Sequence, residues 1–136
     1  MNKSADDGHP SIAAAVIVDG GRALLVRRRV EQGRLSWQFP AGKVEQGEAA
    51  DAAAAREAFE ETGVVVRAIR SLGARIHPDT GRSMLYVACD VEAGTAHAAS
   101  PDEVAEVAWC DRATIAELIP YPPYALVQQH LDDRLR

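Results

Sequence analysis

The sequence contains only two cysteines and no apolar run long enough to cross a membrane. Cys89 and Cys110 lie in apolar, strand-like runs without a Cys-x-x-Cys or Cys/His spacing, which argues against a zinc site and predicts two reduced core thiols. The polar start of the chain lacks the apolar segment that a signal peptide requires. Together these absences predict a cytoplasmic protein with no membrane partner.

The sequence also lacks an excess of basic residues, since its formal net charge is −5. A protein that binds polymeric nucleic acid typically presents a basic stripe to the phosphates, so we expect no nucleic acid polymer as a partner. A small polyphosphate ligand is compatible with an acidic chain, because a bound metal ion can supply positive charge locally. The 136 residues fit one domain with a core of its own.

The order of the apolar runs predicts an α/β protein with a mixed β-sheet between helices. Residues 1–10 are polar and aperiodic, so we expect a flexible N-terminal tail before a single domain over residues 11–136. Gly63 and Asp111 are predicted to end the first helix and to cap the second. Strands are predicted over residues 12–18, 23–30, 64–72, 74–77, 83–91 and 103–110, an extended piece over 37–39, a loop over 41–47, and helices over 49–62, 112–118 and 124–135.

One face of the helix predicted over residues 49–62 is apolar. Ala52, Ala55 and Phe59 recur at helical spacing and are predicted to pack against the core. The last helix shows a similar periodicity. Its apolar face is predicted to comprise Leu126, Val127, His130 and Leu131.

A second stripe of the first helix is acidic. Glu57, Glu60 and Glu61 fall at i, i+3 and i+4, where like charges destabilise a helix by about 0.2–0.5 kcal/mol per pair. They also lie toward the C-terminal end, where the helix dipole disfavours anions. A hard divalent cation such as Mg²⁺, which prefers carboxylate oxygens and substrate phosphates, would explain this arrangement.

Three consecutive arginines end the second predicted strand. Because strand side chains alternate, Arg28 faces away from Arg27 and Arg29. A solvated strand end and a contact with phosphate are both compatible with this pattern.

A segment that begins at Gly42 resembles the Nudix box, GX5EX7REUXEEXGU, in which U is aliphatic. Glu48 follows Gly42 after five residues, and REAFEETGV at residues 56–64 follows after seven more. Every fixed position matches, and Ala58 is a small residue at the first aliphatic position. The resemblance implies the α/β/α sandwich of the Nudix fold and metal-dependent hydrolysis of a diphosphate linkage in a nucleoside diphosphate derivative.

The resemblance also implies a metal site. By similarity, Glu60 and Glu61 hold Mg²⁺, with Mn²⁺ as a substitute, and Glu57 is either a further ligand or the base that activates water. The backbone carbonyl of Ala41, which stands where the family usually has glycine, would complete the metal shell.

Further roles follow from the same resemblance. Arg56 would orient Glu57 through a charge-assisted hydrogen bond, and Glu48 would brace the loop before the helix. The family often adds a carboxylate from a later loop or strand. Glu103 is the first choice for that residue, and Glu106 is the alternative.

The substrate is less well defined by the sequence. The short chain leaves no room for the added N-terminal domain of many ADP-ribose pyrophosphatases, which favours a MutT-like enzyme that converts a nucleoside triphosphate to a monophosphate and pyrophosphate. The stretch YPPYA at residues 121–125 is similar to the FPPAN of that type. Ala125 stands where the asparagine reads an oxidised purine, so we do not expect 8-oxo-guanine specificity.

Two alternatives stay open. Pro78 lies close to a proline typical of the ADP-ribose group, which keeps an ADP-ribose or nucleotide-sugar pyrophosphatase as the second hypothesis. A non-catalytic Nudix ligand sensor is the third, although such a protein should have lost the box carboxylates. Tyr86, Tyr121 and Tyr124 are candidates either for packing or for stacking on a base. The expected partner is a small-molecule nucleotide, and the chain is predicted to be a monomer or a homodimer.

Overall fold

The computed structural model describes residues 10–29, 35–78, 80–121 and 123–136. The predicted tail over residues 1–10 lies outside these ranges except for Pro10. The elements are β1 (Ile12–Asp19), β2 (Arg22–Arg29), β3 (Leu35–Gln38), β4 (Ala41–Lys43), α1 (Ala50–Thr62), β5 (Val65–Ile76), β6 (Ser83–Ala93), β7 (Val104–Cys110), α2 (Arg112–Leu118) and α3 (Ala125–Arg134).

The seven strands of the described residues form one sheet in the order β3-β2-β1-β6-β5, with β4 paired to β1 and β7 paired to β2. Strands β1 and β6 run parallel, and the other described pairs are antiparallel. The β1–β2 connection is a tight turn in which Gly20 and Gly21 have φ of 60° and 80°. Two adjacent residues at positive φ are what a type I′ hairpin requires, and glycine adopts them without strain. The predicted mixed sheet is confirmed.

Helices cover both faces of the sheet. Ala13, Ala15 and Ile17 of β1 belong to a buried cluster with α1, whereas Ala14 and Val16 belong to a cluster with α2 and α3. Alternate residues of a strand point to opposite faces, so β1 contributes to both cores. The predicted α/β/α sandwich is therefore confirmed.

The predicted apolar face of α1 is wrong. Phe59 is 54% exposed and Ala52 is also exposed, while Ala55 is only partly buried at the edge of the cluster. The buried face consists of Ala53, Ala54, Ala58, Glu61 and Thr62. Small side chains on this face let the helix approach the sheet closely, so the large ring of Phe59 stays outside.

The predicted helix ends agree with the structure. Helix α1 ends at Gly63, which adopts a left-handed conformation with φ of 75° and donates its N–H to the carbonyl of Phe59. Asp111 caps α2, because its carboxylate accepts a hydrogen bond of 2.9 Å from the backbone N–H of Thr114. In α3, the predicted face is correct except for Leu126, which is 48% exposed.

Two strand predictions are corrected. The predicted strands over 64–72 and 74–77 form the single strand β5, which continues through Gly73 at a shift of register. The φ of 102° at Gly73 is accessible to glycine, so the backbone bulges there without ending the strand. The predicted loop over 41–47 begins with the short strand β4, in which Ala41 pairs with Ala14.

The two thiols are free and buried, as predicted. Burial raises the pKa of Cys89 to about 12, and it also raises the pKa of Cys110. Both sulfurs are therefore neutral thiols at physiological pH. No helix among the described residues is both long enough and apolar enough to span a membrane.

Candidate active site

A cleft of about 1150 Å³ opens between the sheet, the segment that resembles the Nudix box (residues 42–64) and the C-terminal helices. Several predicted site residues lie in its wall. Those lining residues are Arg28, Ala41, Gly42, Arg56, Glu57, Glu60 and Glu103, together with Tyr86, Tyr121 and Tyr124. The cleft is large enough for a nucleotide.

Glu61 lies in the interior of the protein, although it carries a carboxyl group. Its side chain accepts a hydrogen bond of 3.0 Å from Nη1 of Arg28 and one of 3.3 Å from the backbone N–H of Ala41. The pKa of Glu61 is raised to about 8: burial is the largest cause, the positive charge of Arg28 opposes it, and the nearby charge of Glu57 adds to it. Additional positive charge beside Glu61 would stabilise its ionised form.

Glu57 is held between Gly42 and Arg56. Its side chain is 13% exposed and accepts a hydrogen bond of 2.9 Å from Nη1 of Arg56. A Cβ added to Gly42 would overlap the carboxyl group of Glu57, so the glycine of the box leaves space for this carboxylate.

Arg56 joins the loop before α1 to the acidic face of the helix. Its Nε and Nη2 donate to the two carboxylate oxygens of Glu48 at 2.8 and 3.0 Å, and Nη2 also reaches the carbonyl of Lys43 at 3.0 Å. Its Nη1 lies 3.3 Å from Glu60, whose side chain is 52% exposed. The bidentate bond from Arg56, with a bond from the N–H of Glu45, lowers the pKa of Glu48 to about 2.

The structure separates the two candidates for the additional carboxylate. Glu103 lies in the cleft wall. Glu106 lies outside the cleft, where its side chain forms an exposed ion pair of 2.9 Å with Arg27. Of the two candidates, only Glu103 lines the same cleft as Glu57 and Glu60.

The carboxylates are not gathered into a closed ligand cage. Within the described ranges, no three His, Cys, Asp or Glu side chains are close enough together to hold an ion as they stand. Arg56 spans Glu57 and Glu60, and Arg28 occupies one oxygen of Glu61. The donor set nevertheless fits a hard cation, because it consists of carboxylate oxygens. A bound cation would also supply the positive charge that the buried acid Glu61 needs beside it to be ionised.

Arg28 lies in the cleft wall, whereas its sequence pattern was compatible with either a solvated strand end or a contact with phosphate. Alternation along β2 indicated that its side chain faces away from Arg27 and Arg29, and this orientation is confirmed by its bond to Glu61. Nothing in the sequence around Arg28 indicates that its partner is the carboxylate of Glu61.

The three tyrosines line the cleft and also make ring contacts with other residues. Tyr86 is buried and stacks on Tyr124, with ring centroids 5.9 Å apart. Tyr121 meets His77 edge to face at 5.1 Å. Packing therefore accounts for the buried ring of Tyr86, while Tyr121 and Tyr124 stay partly accessible from the cleft.

Comparison with known proteins gives a family match. A family model described as the NUDIX domain matches residues 8–130. A MutT-like protein of Streptomyces ambofaciens is 31% identical over 105 residues, which cover 71% of this chain and 66% of that protein. An RNA pyrophosphohydrolase of Serratia proteamaculans is 40% identical over 68 residues, which cover 49% of this chain and only 37% of that protein.

A solved structure extends the likeness to the whole fold. A NUDIX hydrolase from Nitrosomonas europaea superposes with a TM-score of 0.77, covering 93% of this chain and 72% of that one. Their sequence identity is 20%, so the superposition establishes a shared architecture and not a shared substrate.

Proposed function

Because the chain belongs to the Nudix family, we propose that it is a Mg²⁺-dependent pyrophosphohydrolase that cleaves a diphosphate linkage in a nucleoside diphosphate derivative. One observation supports this proposal above all. The box carboxylates Glu57 and Glu60 are fixed by Arg56 at the wall of a nucleotide-sized cleft that Glu103 also lines.

In this proposal, Glu57, Glu60, Glu61, Glu103 and the carbonyl of Ala41 are the groups that would hold the metal. Mg²⁺, or Mn²⁺ in its place, would supply positive charge for the phosphoryl oxygens and lower the pKa of water. The position of Glu57 in the cleft wall is compatible with either role, metal ligand or general base.

The protein's own residues position these groups. Arg56 fixes the side chain of Glu57 from one side, and Gly42 leaves the space for it on the other. Arg28 lies in the cleft wall with 30% of its side chain exposed, so its guanidinium can neutralise Glu61 and face a phosphate. Preorganised charges of this kind stabilise the transition state without reorganisation during the reaction.

For the substrate, we propose a nucleoside triphosphate or a modified one, which is cleaved to a monophosphate and pyrophosphate. The likeness to the MutT-like protein, which covers 71% of this chain, favours this class. Ala125 is exposed at the start of α3 and offers no side-chain donor or acceptor to a base, so we do not propose an oxidised purine. The second hypothesis remains an ADP-ribose or nucleotide-sugar pyrophosphatase, and a ligand sensor is disfavoured by the retained carboxylates.

A substrate panel with product identification tests the proposal. The protein would be incubated with Mg²⁺ and nucleoside triphosphates, modified deoxynucleoside triphosphates, ADP-ribose, nucleotide sugars and a 5′-triphosphorylated RNA. A monophosphate with pyrophosphate supports the first class, and a monophosphate with a sugar phosphate supports the second. Pyrophosphate released from the RNA would instead place the activity with that of the RNA pyrophosphohydrolases.

A variant at Glu61 tests the assignment of the site. Glu61→Gln should lower kcat by about 10²-fold or more, because it removes the charge of a buried carboxylate while preserving its shape. Circular dichroism should show an unchanged fold. Near-native turnover of this variant at saturating Mg²⁺ would show that the box carboxylates do not carry the reaction.

A further inference from the structure

The connection between β6 and β7, residues 94–103, is bonded to the C-terminal end of α1. We name this segment the clamp loop. Three consecutive carbonyls of the helix accept hydrogen bonds from it. These bonds run from the Ser100 hydroxyl to Glu60 at 2.6 Å, from the Ala99 N–H to Glu61 at 3.0 Å, and from the His97 N–H to Thr62 at 2.9 Å.

These bonds satisfy backbone carbonyls at the C-terminal end of the acidic helix α1. The last carbonyls of a helix lack intrahelical partners and form the negative end of its dipole, where anions are disfavoured. Glu60 and Glu61 add negative charge at this end. Donors from the clamp loop satisfy the carbonyls and offset part of that field, so the loop stabilises a helix end at which two carboxylates meet.

The same loop carries Glu103. The carbonyl of Ser100 accepts hydrogen bonds from the N–H of Glu103 at 2.9 Å and from that of Val104 at 2.8 Å. Ser100 is therefore bonded through its side chain to the backbone of Glu60 and through its backbone to that of Glu103. One residue links two carboxylates that come from separate elements.

The far side of the clamp loop is also fixed. The backbone N–H of Arg29 donates to the carbonyl of Glu103 at 2.7 Å, and its Nε donates to the carbonyl of Pro101 at 2.9 Å. The turn that carries Glu103 is thus held between β2 and α1. Loss of the Ser100 hydroxyl would remove the bond to α1 that lies nearest to Glu103 in the sequence, while the bonds from Arg29 remain.

We propose that Ser100 is a positioning residue that sets the spacing between Glu103 and Glu60, and thereby the affinity of the site for its divalent cation. This inference rests on the proposed function, since it takes both carboxylates as metal ligands. Ser100 acts through the backbone of each and does not touch the ion.

Mn²⁺ binding to the purified protein, measured by calorimetry or by electron paramagnetic resonance, tests the inference without turnover. Ser100→Ala should weaken Mn²⁺ binding about tenfold, as is usual when a residue that orients a ligand is lost. Ser100→Thr keeps the hydroxyl and should restore most of the affinity. Ser71→Ala is the matched control, because Ser71 also bonds the backbone but lies in β5 away from the carboxylates. If Ser100→Ala does not fold, Ser100→Cys, which keeps the shape with a weak donor, replaces it.

A double-mutant cycle separates positioning from general stabilisation. If Ser100 acts through Glu103, the effect of Ser100→Ala on Mn²⁺ affinity should largely disappear in a Glu103→Gln background. Independent effects of the two variants, or wild-type affinity in Ser100→Ala, would overturn the inference while leaving the proposed function intact. Failure of the proposed function has a different signature, in which Glu61→Gln and wild type bind Mn²⁺ equally.

Discussion

Arg28 of β2 donates to Glu61 of α1 at 3.0 Å, and the two side chains are 30% and 1% exposed. The pair connects the sheet to the helix at the edge of the cleft. Arg27, the preceding residue, pairs instead with Glu106 at 2.9 Å, with side chains 39% and 51% exposed. Adjacent arginines therefore form one shielded and one exposed ion pair, which allows a direct comparison of the two.

Replacement of Arg28 should destabilise the protein. We expect Arg28→Gln to lower the free energy of unfolding by about 1–3 kcal/mol, because it leaves one oxygen of the buried Glu61 carboxyl group without its hydrogen-bond donor, although partial exposure of Arg28 reduces the effect. Arg27→Gln should cost only about 0–1 kcal/mol, since its pair is exposed. Urea denaturation at neutral pH with a chelator measures both. Equal losses would show that Glu61 does not depend on Arg28.

Replacement of Gly42 should affect turnover more than stability. The new Cβ of Gly42→Ala would overlap the carboxyl group of Glu57 and displace it, so we expect kcat/KM to fall by about 10²-fold. Gly47→Ala is the control, because Gly47 has φ of 80° and nothing within 4 Å of its added Cβ. That variant should lose about 1–2 kcal/mol of stability and keep its turnover. A Gly42→Ala enzyme with full activity would mean that the position of Glu57 is not critical.

Much of this architecture could be predicted from the sequence because its signals are local. Helix α1 was predicted over residues 49–62 and spans Ala50–Thr62, since an alanine-rich run ends at Gly63 in the left-handed conformation. The cap at Asp111 could likewise be predicted, because aspartate is a preferred capping residue and stands directly before a helical pattern.

Other features depend on packing between distant segments. The buried face of α1 was predicted wrongly because the larger Phe59 appeared to belong to the core, whereas close contact with the sheet selects small residues such as Ala54 and Ala58. The bond between Arg28 and Glu61 joins residues 33 positions apart, and neither residue has a local signal for the other. The bond from Ser100 to Glu60 joins residues 40 positions apart, and likewise no local sequence pattern predicts it.

Arg56 should not be replaceable by lysine. A lysine ammonium lacks the planar fork that contacts Glu48, Glu57 and Glu60 together, so we expect Arg56→Lys to weaken Mn²⁺ binding and to lower kcat, each by about tenfold or more. Arg67→Lys is the control, since Arg67 is 64% exposed and its ion pairs of 3.6 and 3.7 Å lie elsewhere on the sheet. Titration with Mn²⁺ and steady-state kinetics of both variants provide the measurement. Normal metal affinity in Arg56→Lys would show that charge alone suffices.

His130 should make the stability of the protein depend on pH. It is buried, and its Nδ1 lies 3.2 Å from Nη2 of Arg70; because a guanidinium can only donate, Nδ1 accepts and the ring is neutral. Burial lowers the pKa of His130, Arg134 and Arg70 lower it further, and Asp133 and Asp90 oppose them. The folded protein therefore binds a proton at this position less readily than the unfolded chain does.

The sign of the effect follows from linkage. For a base whose pKa is lower in the folded state, the stabilising contribution is present above the unfolded pKa of about 6.5 and is lost as the pH falls below it. We expect the free energy of unfolding of wild type to decrease, relative to that of His130→Gln, as the pH falls from about 6.5 to 5. Urea denaturation at a series of pH values gives both curves, and their difference isolates His130 because all other titrating groups are shared. Parallel curves over this interval would mean that His130 takes up its proton equally well in the folded and unfolded states.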